Sequence, residues 1–213
     1  MITAIILARC NSSRLPRKHF YKIGSTKIIN LIINNLHKNK LITKIYIGTG
    51  TKKNNFLFKN EINKENKKKC EVYFHKNEDD VTGRIYEITK KIKTKYTILI
   101  SGDCCLVDND FISRLYKQLK NTEYDFLKCK KRLIHEGVSL FRNTTWKKVT
   151  ENSHKNYQKE HPGYVVNEFP ELFKIGFFKP KNYEINKKFR LSVDTESDLD
   201  FFNSHYEYLK NKN

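Results

Sequence analysis

Four cations and two hydroxyls stand together just after a short apolar run: Arg9, Ser12, Ser13, Arg14, Arg17 and Lys18 follow Ile2 to Ala8. A loop of this make-up, with exposed backbone amides, can wrap a polyphosphate through charge-assisted hydrogen bonds. It holds neither G-x-x-x-x-G-K-[ST] nor G-x-G-x-x-G, which excludes the two common glycine-rich phosphate cradles. A second segment, Ile100-Ser101-Gly102-Asp103-Cys104-Cys105-Leu106-Val107-Asp108, sets an acid directly behind another apolar run. Asp103 there is well placed to hold a divalent metal against phosphates, because Mg²⁺ takes one or two carboxylates plus phosphate oxygens and water. Asp108 reads instead as a helix cap. A third acid, Asp194 in Val193-Asp194-Thr195, can supply a second carboxylate, an assignment that needs the first two segments beside it. The alternatives are an ordinary basic surface loop and turn or cap acids. Position at the ends of strands favours function.

The elements that must position these residues are legible in the hydropathy pattern. Ile2 to Ala8 has the continuous apolar character of a strand buried on both faces of a parallel sheet. Asn11 to Gly24 is a polar loop, and Ile28, Ile29, Ile32, Ile33 and Leu36 then follow helical spacing. Ile45 to Gly48, Val72 to Phe74 and Tyr96 to Ile100 predict further strands. Thr51 to Lys69 predicts a polar helix, and Val81, Ile85, Ile88 and Ile92 another. Phe111, Ile112, Leu115 and Leu119 mark a helix capped by Asp108 or Asn109. Strand and helix alternating at this spacing predict a doubly wound, mostly parallel α/β sheet flanked by helices. Ligands in such sheets lie at the carboxyl ends of the strands, where the loops after Ala8 and Ile100 fall. Beyond Asp125 the pattern loosens. Val138 to Phe141, Leu172 to Phe178 and Arg190 to Val193 read as strands, and Thr195 with Asp198 as a capping-box-like pair opening the last helix.

Composition bounds the function classes. The chain has 213 residues, 38% of them hydrophobic, which suits a single domain over 1–213 with residues 125–187 as a less regular subregion. With 42 Lys+Arg against 23 Asp+Glu the formal net charge is +19. Most of that charge is Lys scattered among Asn and Ile, as in the Lys-rich segment 59–69, which reads as solvated surface and makes nucleic acid an unfavoured partner. Five cysteines, Cys10, Cys70, Cys104, Cys105 and Cys129, form neither an even disulfide framework nor a C-x-x-C pair, so the expected compartment is the reducing cytoplasm. Cys104 and Cys105 are expected to be packing residues. No run approaches the roughly 20 apolar residues of a membrane helix.

Taken together, the motifs resemble the cytidylyltransferase family of the CMP-sugar-acid synthetases, most closely the branch named after spore-coat polysaccharide synthesis. That branch opens with A-R-x-x-S-[ST]-R-L-P-x-K, matched by Ala8-Arg9-Cys10-Asn11-Ser12-Ser13-Arg14-Leu15-Pro16-Arg17-Lys18. Its E-D-D-V-x-x-R-[YF] corresponds to Glu78-Asp79-Asp80-Val81-Thr82-Gly83-Arg84-Ile85-Tyr86, and G-D-C-P-L-[IV]-D to Gly102 through Asp108. A strand motif matches loosely at Gly137 to Phe141, and R-L-[ST]-V-D-T-x-x-D-L at Arg190 to Leu199. Two departures stand out. Asn11 replaces a small Gly, where a residue tolerant of the left-handed region can serve. Cys105 replaces Pro, which is expected to loosen that loop.

The resemblance implies a Rossmann-like nucleotidyltransferase in which an acceptor oxygen attacks the α-phosphorus of CTP and pyrophosphate leaves. Positioning and charge neutralisation dominate such a transfer. It implies that Arg9, Arg14 and Lys18 hold the triphosphate, with Ala8, Ser12, Ser13 and Gly102 around it. Lys18, Arg9 and Asp103 would be the catalytic residues. Asp103 and Asp194 would hold Mg²⁺, and Arg84 would lie near the base or a phosphate. Asp79 and Asp80 read equally well as functional acids and as a helix N-terminus. His19 is expected to be a satisfied surface residue; His135 and His161 fall in the poorly matched region, where contact with a small acidic acceptor is the disfavoured reading. Glu160-His161-Pro162 is a faint echo of a family E-H-V-T segment. A homodimer built through residues 125–180 is the expected assembly. Two other classes compete. A nucleotide-sugar glycosyltransferase usually needs D-x-D at a strand end, whereas Asp108-Asn109-Asp110 falls at a helix start. A basic binding module leaves Arg9, Lys18, Asp103 and Asp194 without a purpose.

Overall fold

The computed structural model describes residues 1–134, 137–185 and 191–210, without the side chains of 209 and 210. The first apolar run makes β1 (Ile2–Leu7), and the polar loop behind it holds one 3₁₀ turn over residues 18–20. A two-residue hairpin, β2 (Lys22–Ile23) and β3 (Thr26–Lys27), leads into α1 (Ile28–His37). Next come β4 (Ile42–Thr49), α2 (Lys52–Asn55), α3 (Leu57–Glu61), β5 (Cys70–Phe74) and α4 (Val81–Thr89). They are followed by β6 (Tyr96–Ser101) and α5 (Asn109–Lys120). The less regular part supplies β7 (Phe126–Lys128), β8 (Val138–Arg142), α6 (Thr145–Glu151), α7 (Asn156–Glu160), α8 (Gly163–Glu168) and β9 (Ile175–Phe177). The helices α9 (Glu196–Ser204) and α10 (Tyr206–Lys210) complete the described chain.

Seven of these strands form one sheet in the order β5-β4-β1-β6-β8-β7-β9. β5, β4, β1 and β6 run parallel, β8 runs antiparallel to both β6 and β7, and β9 is parallel to β7. From β1 the chain moves outward to β4 and β5, then crosses back over β1 to β6. That reversal opens a crevice at the carboxyl ends of β1 and β6, the usual ligand position in an open α/β sheet. The Gly102 amide donates to the Leu7 carbonyl at 2.8 Å and draws the two strand ends together.

Alternation along β1 sends Ile2, Ala4 and Ile6 to one face and Ile5 to the other. The first face packs against α1, α5 and Phe202 of α9, and the second against α4, α6 and α8. Ile28, Ile29, Ile32, Ile33 and Leu36 of α1 are all fully buried. Each contributes about 1.5–3 kcal/mol on burial, which outweighs the modest helix propensity of isoleucine.

Several expectations needed correction. Residues 51–69 form two short helices and a 3₁₀ turn rather than one helix, with Ile62 in extended conformation after α3. Within Leu172 to Phe178 only Ile175–Phe177 is strand, because Pro170 opens a 3₁₀ turn just before it. The strand expected over 190–193 does not form in its described part, residues 191–193. There the Val193 amide donates to the Asp103 carbonyl at 3.0 Å. Arg190 and His135 lie outside the described residues.

Candidate active site

Lys18 is the centre of the crevice. It starts the 3₁₀ turn after Arg17, the one non-glycine described with positive φ, at 57°. The left-handed residue of this loop is therefore Arg17, and Asn11 needs no such tolerance. The buried Lys18 ammonium donates to Asp103 Oδ2 at 2.6 Å and to Asp194 Oδ1 at 2.8 Å. Arg14 reaches the same Asp194 oxygen at 2.8 Å from the exposed rim. Burial alone would push the Asp103 carboxyl up, but the Lys18 charge and hydrogen bonds outweigh it and hold Asp103 below the ordinary carboxylate range.

Asp103 owes its place to tight backbone packing. A Cβ on Gly102 would sit 2.8 Å from Ala8 Cβ and 2.9 Å from the Leu7 carbonyl oxygen, so the loop can approach β1 only as glycine. The amides of Cys104 and Cys105 donate to the carbonyls of Ser101 and Asp103, both at 3.0 Å. Proline at 105 could not make the second bond, so Cys105 ties the loop where loosening was expected. Both thiols are buried and pushed upward chiefly by burial, Cys105 to about 12, which suits packing residues.

His19 departs from expectation. It is buried rather than on the surface, with Nδ1 2.9 Å from the Gly102 carbonyl oxygen. Burial dominates and lowers it to about 4, so at neutral pH it is a neutral strut beneath the Asp103 loop.

Arg9 lies across the crevice between two acids. Its guanidinium is 3.2 Å from Asp79 Oδ1 and 3.2 Å from Glu160 Oε1. Asp79 thus pairs with the basic loop behind β1, while Asp80 caps α4 by accepting the Gly83 amide at 2.8 Å. Ser12 is half-buried and Ser13 exposed in the same loop. Behind them the Cys10 amide donates to Asn55 Oδ1 at 2.8 Å, and Asn55 donates in turn to the Glu78 carboxylate. Burial would raise Glu78, but bonds from Asn55 and Thr51 hold it below its ordinary value.

Arg84 is buried on α4, not displayed in the crevice. It donates to the Glu78 carbonyl at 2.7 Å and more weakly to that of Gly48 at 3.5 Å, and its Nε is buried without a partner among the described residues. Burial lowers it to about 10, which still leaves it charged. Sequence reasoning missed Asn55, since neither motif nor periodicity marks a residue whose partner lies 45 positions away, and the motif that holds Glu78 does not reveal its bond to Asn55. Glu160 had only its faint motif echo.

Asp108 accepts from the amides of Asp110 and Phe111, so Asp108-Asn109-Asp110 is a helix cap and not a glycosyltransferase metal motif. Among the described residues no three His, Cys, Asp or Glu side chains gather as a metal cluster, and no helix is long and apolar enough to cross a membrane.

Lys18, Arg14, Arg9 and a pair of acids thus converge at the crevice of the switch point. The family model for cytidylyltransferases matches residues 3–213, and the chain belongs to that family. It is 27% identical over 201 residues to an uncharacterised protein of Methanocaldococcus jannaschii, covering 94% of this chain and 81% of that one. It is 20% identical to the spore coat polysaccharide biosynthesis protein SpsF of Bacillus subtilis over 213 residues, 97% of this chain and 86% of that one. A 3-deoxy-manno-octulosonate cytidylyltransferase of Rickettsia prowazekii is 28% identical over 148 residues, 68% of this chain and 57% of that protein. A cytidylyltransferase structure from Leptospira borgpetersenii superposes with a TM-score of 0.85 at 24% identity, covering 97% of this chain and 87% of that one, and shows the same fold. The chain is thus a CTP-dependent nucleotidyltransferase with the Rossmann-like architecture expected.

Proposed function

We propose that the chain transfers CMP from CTP to a sugar acid or related surface-glycan precursor. An acceptor hydroxyl gives up its proton to solvent as its oxygen bonds to the α-phosphorus, the bond from that phosphorus to the bridging oxygen breaks, and pyrophosphate leaves with the electron pair. The observation that carries this assignment is the buried Lys18 held by two carboxylates, Asp103 behind β6 and Asp194 just before α9, 2.6 and 2.8 Å away. Lys18 and Arg14 neutralise the triphosphate, and Arg9 joins them by exchanging Asp79 and Glu160 for phosphate oxygens. Ser12, Ser13 and the backbone around Ala8 and Gly102 supply neutral donors and close contact. Arg84 acts from below, fixing the carbonyls of Gly48 and Glu78 that frame the nucleotide side of the crevice.

Asp103 and Asp194 suit Mg²⁺, since they are hard oxygen donors that already converge on one cation, the Lys18 ammonium. When bound there, Mg²⁺ supplies charge neutralisation on the phosphate oxygens and the leaving pyrophosphate. Assembly as a homodimer through residues 125–180 belongs to the same proposal. It is supported by exposed Tyr157, Tyr164, Leu172 and Phe177 in that stretch and is checked by sedimentation velocity.

Thermal unfolding with CTP, UTP, GTP or ATP, with Mg²⁺ and then with EDTA, tests the assignment. A ligand at 100 times its dissociation constant adds about 2.7 kcal/mol, or roughly 5–11 °C for a chain of this size. A CTP-selective, Mg²⁺-strengthened shift that Asp103→Ala removes supports it. Equal small shifts with all four nucleotides overturn it.

A further inference from the structure

Lys18 and Asp194 lie 176 positions apart, and neither stands on a long element. Lys18 opens a single 3₁₀ turn that has no side-chain cap, and Asp194 lies in irregular chain just before α9. A pair carried on such segments keeps its geometry only where packed elements fix them. The helix α9 is bonded to both.

At its start, Asp198 Oδ2 accepts three donors at 2.9 Å: the amides of Asp194 and Thr195 and the Thr195 hydroxyl. The Thr195 bonds belong to the capping box, together with the Asp198 amide that donates back to the Thr195 hydroxyl oxygen. The bond to the Asp194 amide lies outside that box. It fixes the peptide of the residue whose carboxylate accepts from Lys18.

At the other end of α9, Asn203 Oδ1 accepts the Gly24 amide at 2.9 Å, and Asn203 Nδ2 donates to the Lys22 carbonyl at 3.2 Å. Both partners belong to the β2–β3 hairpin, and Tyr21, just before it, donates its amide to the Lys18 carbonyl at 3.2 Å. Gly24 has φ of 59°, and a Cβ there would lie 2.4 Å from the Tyr206 ring, so the hairpin turn meets α10 only as glycine. Phe202 of α9 is 1% exposed and sinks into the apolar cluster that also holds Ile23 of β2 and Ile6 of β1.

We propose that α9 is a brace that sets the separation of Lys18 and Asp194, with Asp198 and Asn203 as positioning residues acting through that pair. A buried ion pair keeps its worth only in good hydrogen-bond geometry, and a misplacement of about 1 Å from a remote change can cost roughly 100-fold in rate. The inference deepens the proposed function and rests on it only where CMP transfer is measured. The brace itself is tested without nucleotide.

Differential scanning calorimetry at pH 7 of Asp198→Ala and Asn203→Ala, each alone and combined with Lys18→Met, makes a double-mutant cycle. Each variant is expected to lower Tm in the wild type, and by at most about half as much beside Lys18→Met, where the ion pair it acts through is already gone. Asn203→Ala changes no charge, so its coupling to Lys18 cannot come from direct charge attraction, and it carries the test if Asp198→Ala does not fold. Asp198→Asn keeps an oxygen that accepts the Asp194 and Thr195 amides and is expected to retain most of the wild-type Tm and kcat. With CTP, Mg²⁺ and N-acetylneuraminate or 3-deoxy-manno-octulosonate, both alanine variants are expected to lower kcat about tenfold while KM for CTP stays within about threefold, because Arg9 and Arg14 still hold the triphosphate. No loss of Tm in either alanine variant, or equal losses in both backgrounds as a simple helix cap or surface hydrogen bond would give, overturns the brace even if CMP transfer is observed. Coupling without CTP-selective stabilisation of the wild type supports the brace and instead removes the transferase assignment.

Discussion

Replacing Lys18 with methionine keeps the length of the side chain and removes the charge between two acids. Asp194 is 4% exposed and keeps Arg14, while the Asp103 side chain is about one-fifth exposed and loses a partner 2.6 Å away. Removing one member of a buried ion pair costs about 3–5 kcal/mol, and the surviving Arg14 contact and partial exposure put Lys18→Met near the lower figure. For this chain length about 3 kcal/mol lowers Tm by roughly 6–12 °C at pH 7, readable by differential scanning calorimetry. The pH dependence follows from the depressed Asp103 carboxyl. A carboxyl held below its unfolded value contributes stability above the ordinary range and loses it as pH falls through the folded value. Without Lys18 that loss is smaller and ends at a higher pH, so the gap between wild type and variant narrows as the Asp103 carboxyl becomes protonated. A variant within about 2 °C of wild type at pH 7, or a gap unchanged down to pH 3, would refute the placement of Lys18 as the charge holding these acids together.

Three further outcomes are expected. His19 is held at about 4 by burial, below its value near 6.5 in an unfolded chain. Its contribution is therefore complete above pH 6.5 and declines toward pH 4 by up to about 1.4 kcal/mol per pH unit, and urea titrations of His19→Gln should show that slope flattened. Gly102→Ala forces a Cβ against Ala8, His19 and the Leu7 carbonyl; it should cost about 1–3 kcal/mol and abolish stabilisation by CTP, and unchanged CTP binding would count against the backbone contact. Glu160→Gln loosens a half-exposed pair, so Tm should move by less than about 4 °C, while calorimetry should find CTP bound up to about fivefold tighter because one rival for Arg9 is gone.

Much of the fold was legible because its signals are local. The apolar run of β1, the helical spacing of α1 and α5 and the caps at Asp108 and Thr195 each depend on a few consecutive residues. The placement of the basic loop and of Asp103 was legible for the same reason, since both follow a strand. What escaped was set by distant partners. Arg84 looked like a nucleotide contact, yet the carbonyls of Gly48 and Glu78 draw it beneath the crevice. His19 looked like a surface histidine because nothing in its own segment shows that Gly102 and Phe58 cover it. Residues 191–193 have strand composition, but the bonds of the Leu191 amide to the Ile134 carbonyl and of the Val193 amide to the Asp103 carbonyl position Asp194 without extending the sheet.

The most direct test is pyrophosphate release with CTP, UTP, GTP or ATP in the presence of Mg²⁺ and either sugar acid, wild type beside Asp103→Asn. The expected result is release that requires both CTP and the acid and falls at least about 100-fold in the variant. Release by the variant at the wild-type rate, or equal release from all four nucleotides, would contradict CMP transfer at the Lys18–Asp103–Asp194 centre.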